Sequence, residues 1–163
     1  MKRIIIHWTA GTYEPNEHER VCYHYLVSGD GTVNKGRYKP EDNETTFDGV
    51  YAAHTGGGNT GSIGVAMCGM YIPQNTPLKM TKYPLTKIQC ERCFKLVAEL
   101  CKKYNIAITP QTVMTHYEFG LKHPNTSSAG KIDITWLPAY GYLTPAEVGS
   151  FIRNKVKWYF VRL

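Results

Sequence analysis

The period of hydrophobic and polar positions changes several times along the chain, and each change predicts an element. RIIIHW, residues 3–8, is a short continuous apolar run of the kind a buried strand shows, yet it closes on a histidine and a tryptophan. YHYLVSGDGTVNKGR, residues 23–37, reads as strand, turn and strand, with Gly29-Asp30-Gly31 as the tight turn. SIGVAMCGMYI, residues 62–72, is apolar and partly β-branched, and predicts another buried strand. From residue 86 the period lengthens. Cys93, Leu96, Val97, Leu100 and Tyr104 fall on one helical face, with Cys90 on the same stripe, and Thr86 with Gln89 forms a capping box at its start. A short apolar segment then leads to His116, and LKHPNTSSAGKID reads as a surface loop. LTPAEVGSFIRNKVKWYFVRL predicts a closing helix, with Thr144 and Glu147 as a second capping box and Pro145 at the first helical position.

Strands interleaved with helices predict an α/β fold, a central mixed β-sheet flanked by α-helices. With 163 residues and neither repeats nor low-complexity segments, one domain over residues 1–163 is expected. Hydrophobic residues make up 42% and charged residues 20%, which excludes wholesale disorder. The net charge of +6 favours an anionic partner, and nucleic acid, a membrane surface and an anionic cell wall all satisfy it. A nucleic-acid module needs a recognisable motif, and none is present. The basic closing helix reads instead as core-docked with a basic outer face.

The start, MKRIIIHWTAGTYEP, has two basic residues before an apolar run, but His7 interrupts that run and no cleavage region follows. No segment is long and apolar enough to span a bilayer, so a protein cytoplasmic as synthesised is expected. Five cysteines, an odd number, do not make a disulfide framework. Cys90 and Cys93 form a C-x-x-C, but they lie on the core-facing stripe with no second pair, so packing is expected there. Glu91–Lys95 and Glu99–Lys103 are expected as surface pairs on the same helix.

Six histidines are the raw material for chemistry. His18 and His123 stand in polar surroundings and read as surface residues, and His24 as a strand residue facing away from Tyr23. His7 at a strand end, His116 after an apolar segment and Asp133 after the SSAGK loop are a possible two-imidazole, one-carboxylate metal set. Three protein ligands would leave the fourth tetrahedral position to water. The spacing alone makes this a weak signal, because no short H-x-x-x-H pair exists.

The motifs IIIHWTAG, YHYLVSGDGTV, AAHTGGGNTGSIGV, THYEFG and GKIDI follow one another in order between about residue 3 and residue 137. Together they resemble the zinc-dependent N-acetylmuramoyl-L-alanine amidases, a family that includes the peptidoglycan recognition proteins and short phage endolysins. The resemblance implies that family's fold, a Zn2+ cofactor, and hydrolysis of the amide between N-acetylmuramic acid and L-alanine in peptidoglycan. It makes His7, His116 and Asp133 the zinc ligands. Lys131 is implied in oxyanion stabilisation, and Tyr23 in positioning or protonating the reacting groups. His54 is implied in contacting substrate or bracing its loop. Asn59 lies in the adjoining glycine-rich turn and joins His54 as a candidate substrate contact; no G-K-[ST] follows, so a P-loop is rejected. Glu118 reads either as a partner that orients an imidazole or as an exposed helix-start carboxylate.

Two positions depart from the family pattern. Ala66 stands where wall-recycling relatives carry a glutamate after SIGI, which favours the phage-like site built around Tyr23 and Lys131. Ile134 stands where many relatives have proline after the aspartate, which leaves the local loop shape open. The implied protein is a monomeric phage or prophage endolysin, made in the host cytoplasm and acting on the wall after release. A bacterial cytosolic amidase fits the missing signal equally. The alternative from another class is a non-catalytic peptidoglycan-binding or partner-inhibiting protein on the same fold, but all three ligands are present here.

Overall fold

A computed structural model of the chain describes residues 1–163. Five strands, β1 (Arg3–Trp8), β2 (Tyr25–Val27), β3 (Val33–Lys35), β4 (Ser62–Met67) and β5 (Val113–Thr115), form one sheet in the order β3-β2-β4-β1-β5. β1 lies between β4 and β5 and runs parallel to both, β2 runs parallel to β4, and the β2–β3 hairpin is antiparallel. The sheet is therefore mixed, as the alternation of patterns predicts. Four helices accompany it: α1 (Glu17–Cys22), α2 (Lys87–Tyr104), α3 (His116–Lys122) and α4 (Pro145–Phe160).

The pleat of β1 decides what each face of the sheet does. Ile4, Ile6 and Trp8 point to the side where Phe94, Val97, Ile152 and Val156 of α2 and α4 complete the main core. Burying a side chain such as Phe94 contributes about 2–3 kcal/mol. Ile5 points the other way, onto Met114 and Phe119 of β5 and α3. By the same alternation, His7 shares the Ile5 face. The continuous apolar run is thus two interleaved half-patterns, both buried.

The cap signals act as the sequence predicts. Thr86 Oγ1 accepts from the Gln89 N–H at 3.2 Å and Gln89 Oε1 accepts from the Thr86 N–H at 3.1 Å, which starts α2. At α4 the Glu147 carboxylate accepts from the Thr144 N–H and hydroxyl at 2.9 and 2.8 Å. Cys90 and Cys93 are buried in the core and all five cysteines are free thiols.

Three details differ from the sequence expectations. The surface pairs of α2 go elsewhere: Glu91 meets Lys155 of α4 at 2.9 Å, and Glu99 meets Arg92 at 2.9 Å. For Glu91 a tertiary neighbour outcompetes the i,i+4 partner, and for Glu99 the longer Arg92 side chain two turns earlier on α2 does so. α1 is a one-turn helix that the apolar pattern does not reveal, although Asn16 and Glu19 form its capping box. As a result Tyr23 caps the end of α1, and β2 begins only at Tyr25. The segment after His116 is likewise helical for seven residues before the loop begins.

Candidate active site

The site forms where parallel strands end. His7 is the penultimate residue of β1, and His116 follows directly on β5, the neighbouring strand. The carboxyl ends of parallel strands are where α/β sheets bind ligands, because the diverging loops leave a crevice there. Asp133 arrives from the loop after α3, held by a 2.5 Å hydrogen bond from the Tyr117 N–H to its backbone carbonyl. The peptide bond between Asp133 and Ile134 is cis.

Three side chains converge. His7 Nδ1 lies 3.1 Å from His116 Nδ1 and 3.0 Å from Asp133 Oδ2, and His116 Nδ1 lies 3.3 Å from Asp133 Oδ1. Donors held 2.0–2.2 Å from a tetrahedral zinc ion sit about 3.3–3.6 Å apart, so only a small outward adjustment would fit these side chains to such an ion. All three side chains are buried.

The surrounding hydrogen bonds leave the Nδ1 atoms free to ligate. Ser128 Oγ donates to the Gly56 carbonyl at 2.7 Å, so it accepts from His116 Nε2 at 2.9 Å, and the His116 lone pair falls on Nδ1. His54 Nε2 reaches the Ser62 carbonyl at 3.4 Å, which makes His54 Nδ1 an acceptor. His7 Nε2 lies 3.2 Å from that atom and 3.3 Å from Thr55 Oγ1, and its N–H is held there. Burial lowers the His7 and His54 pKa values and keeps both rings neutral. Burial raises the Asp133 carboxyl, but the two imidazoles beside it, His116 and His7, outweigh that and hold Asp133 below the usual carboxylate range.

Tyr23 and Lys131 line the same cleft of about 470 Å³ as His54, His116 and Asp133. The Tyr23 ring centroid is 5.1 Å from that of His7. Burial, reinforced by the Asp133 carboxylate, raises the phenol pKa well above its ordinary value. Lys131 is exposed at the rim. Trp8, Met70, Ile72, Leu78 and Ile132 give the cleft an apolar wall.

Asn59 does not line the cleft. Its side-chain oxygen accepts the N–H groups of His54 and Thr55 at 2.9 and 2.8 Å and so braces the loop that carries His54. Glu118 makes no hydrogen bond to an imidazole; it caps α3 and pairs with Arg153. Ala66 sits on β4 opposite His7 and offers no carboxylate there. His24 is buried between the Gly64 N–H and Asn43, while His18 and His123 are exposed. Ser128 and Thr55 are absent from the sequence-based site, because a serine or threonine in a polar loop carries no signal of its distant partner.

A family model described as N-acetylmuramoyl-L-alanine amidase matches residues 1–133, which include every one of these side chains except Arg153. The chain belongs to the N-acetylmuramoyl-L-alanine amidase family. Two solved structures share its fold. The amidase LysC from Clostridium intestinale URNW superposes with a TM-score of 0.54 at 17% identity, covering 96% of this chain and 85% of that one. A mutant of PlyL superposes with a TM-score of 0.52 at 23% identity, covering 96% and 84%. No curated protein sequence matches the chain. No helix of this amidase-family protein is long and apolar enough to cross a membrane.

Proposed function

We propose that this chain is a zinc-dependent N-acetylmuramoyl-L-alanine amidase and that it serves as a phage or prophage endolysin. The convergence of His7, His116 and Asp133 on one point, with ligand spacing and free Nδ1 atoms, carries the reading. When bound there, zinc would polarise the scissile carbonyl and acidify a water toward a pKa of about 7.

The chain's own residues supply the remainder. Burial and the Asp133 carboxylate oppose the Tyr23 phenolate and favour the protonated hydroxyl. It therefore acts as a neutral hydrogen-bond donor that positions the reacting groups. Lys131 brings a positive charge to the cleft, where an oxyanion develops as the amide carbonyl becomes tetrahedral. The apolar wall of Trp8, Met70 and Ile72 excludes water from one side of the bound chain. Ala66 provides no general base, which supports the phage-like arrangement around Tyr23 and Lys131. The net charge of +6 suits an anionic wall polymer.

The deciding experiment incubates purified sacculi with the wild type and with Asp133→Ala, and measures released stem peptides and protein-bound zinc. New L-alanine amino termini from the wild type alone, with zinc lost from the variant, are expected. Equal sacculus binding by both proteins, without cleavage or zinc, would overturn the enzyme reading in favour of a binding protein.

A further inference from the structure

α4 lies on the far side of the sheet from the cleft, yet two of its residues converge on one carboxylate beside a site histidine. Arg153 Nη1 donates to Glu118 Oε1 at 2.9 Å and Nη2 to Glu118 Oε2 at 3.0 Å, a two-pronged pair. Arg153 Nη1 also donates to the carbonyl of Val113 in β5 at 3.0 Å. One turn earlier on α4, Gly149 leaves the space that Glu118 occupies: a Cβ there would stand 2.3 Å from the carboxylate. Glycine is a poor helix residue, so its place inside α4 matches the room the carboxylate needs.

Glu118 in turn grips the backbone around His116. Its Oε1 accepts from the Thr115 N–H at 3.1 Å, and Thr115 Oγ1 accepts from the Glu118 N–H at 3.1 Å. His116 and Tyr117 are the two residues between them. Arg153 thus ties together the end of β5 and the first turn of α3, the two elements whose junction aims the His116 imidazole. Both side chains are mostly shielded, 11% exposed for Arg153 and 24% for Glu118, so water competes weakly for the pair.

We infer that Arg153, through Glu118, is a positioning residue for His116, so that α4 sets the geometry and affinity of the metal site. The inference rests on the reading of His116 as a zinc ligand. Its test measures zinc Kd by chelator competition, the visible spectrum of the cobalt-substituted protein, and Tm. The variants are Arg153→Ala, Arg153→Lys, Glu118→Gln, the Arg153→Ala/Glu118→Gln pair, and Ile152→Val as a buried α4 control.

Arg153→Ala is expected to weaken zinc binding about tenfold and to shift the cobalt spectrum, with Arg153→Lys restoring part of both. Glu118→Gln keeps an acceptor for the cap but loses the ion pair, and the double variant should bind zinc no worse than the weaker single variant. Ile152→Val should lower Tm and leave Kd unchanged. If Arg153→Ala and Glu118→Gln lower Tm as the control does, with Kd and spectrum unchanged, the positioning role is overturned while the metal site stands. A wild type that binds no zinc overturns the metal reading, and this inference with it.

Discussion

Ser128 holds His116 from behind: its hydroxyl accepts the Nε2–H at 2.9 Å and passes its own proton to the Gly56 carbonyl at 2.7 Å. The hydroxyl has only one proton to give, so this geometry fixes the tautomer that leaves Nδ1 toward Asp133. Ser128→Ala removes that control and leaves the buried Nε2–H without a partner. Zinc affinity should fall by about 10–100-fold, while the far-UV spectrum stays native. A chelator-competition titration checks it, and an unchanged Kd would sink the orienting role.

Tyr23 and Lys131 face the cleft without taking part in the converging donor set, so their removal should separate catalysis from metal binding. Tyr23→Phe keeps the ring beside His7 and loses only the hydroxyl. It is expected to lower kcat about a hundredfold with zinc content unchanged, and Lys131→Ala to lower it by a similar factor. Burial and Asp133 raise the Tyr23 pKa above its ordinary value, so any limb that Tyr23 contributes to the wild-type pH–rate profile is expected on the alkaline side, above about pH 10, and absent from Tyr23→Phe. Steady-state rates on a soluble muropeptide, with metal analysis on the same samples, distinguish these effects from zinc loss.

Gly64 on β4 lies directly beneath the His54 ring, and a Cβ there would come within 2.5 Å of ring carbon Cγ. Gly64→Ala must therefore push His54 away from His7 and Thr55. A destabilisation of about 1–3 kcal/mol is expected, measured by urea unfolding. A stability equal to wild type would show that the ring moves freely.

His24 links pH to folding. Burial pushes its pKa down to about 4 from 6.5, outweighing the hydrogen bond to Asn43, which raises it, while the other ring nitrogen accepts from the Gly64 N–H. Between those values the unfolded chain binds the proton and the folded one does not. This contribution is fully present above pH 6.5 and is lost as pH falls toward 4, about 3 kcal/mol in all. Unfolding free energies measured from pH 7 to pH 4 should fall more steeply in the wild type than in His24→Gln. Parallel curves would refute the assignment.

Much of the fold was legible in the sequence because its signals are local. The run in RIIIHW, the stripe from Cys90 to Tyr104 and the caps at Thr86 and Thr144 depend on neighbours within about a turn, and those elements form where the pattern predicts. α1 was hidden because six residues carry too little periodicity, although its Asn16–Glu19 box was written in the chain. The candidate ligands His7, His116 and Asp133 were legible only through the order of the motifs that contain them, since no two are close in sequence.

The sequence by itself determined which residues carry ligating and polarising groups, and which stretches become strand or helix. Tertiary structure alone decided that β1 and β5 lie side by side, bringing the Nδ1 atoms of residues 109 positions apart to 3.1 Å. It also decided that Asn59 braces a loop, that Ser128 backs His116, and that Arg153 reaches Glu118 from the opposite side of the sheet. The physical reason is range. Hydrophobic period and capping act over a few residues, whereas a hydrogen bond or a shared metal position depends on which strands the buried core brings together.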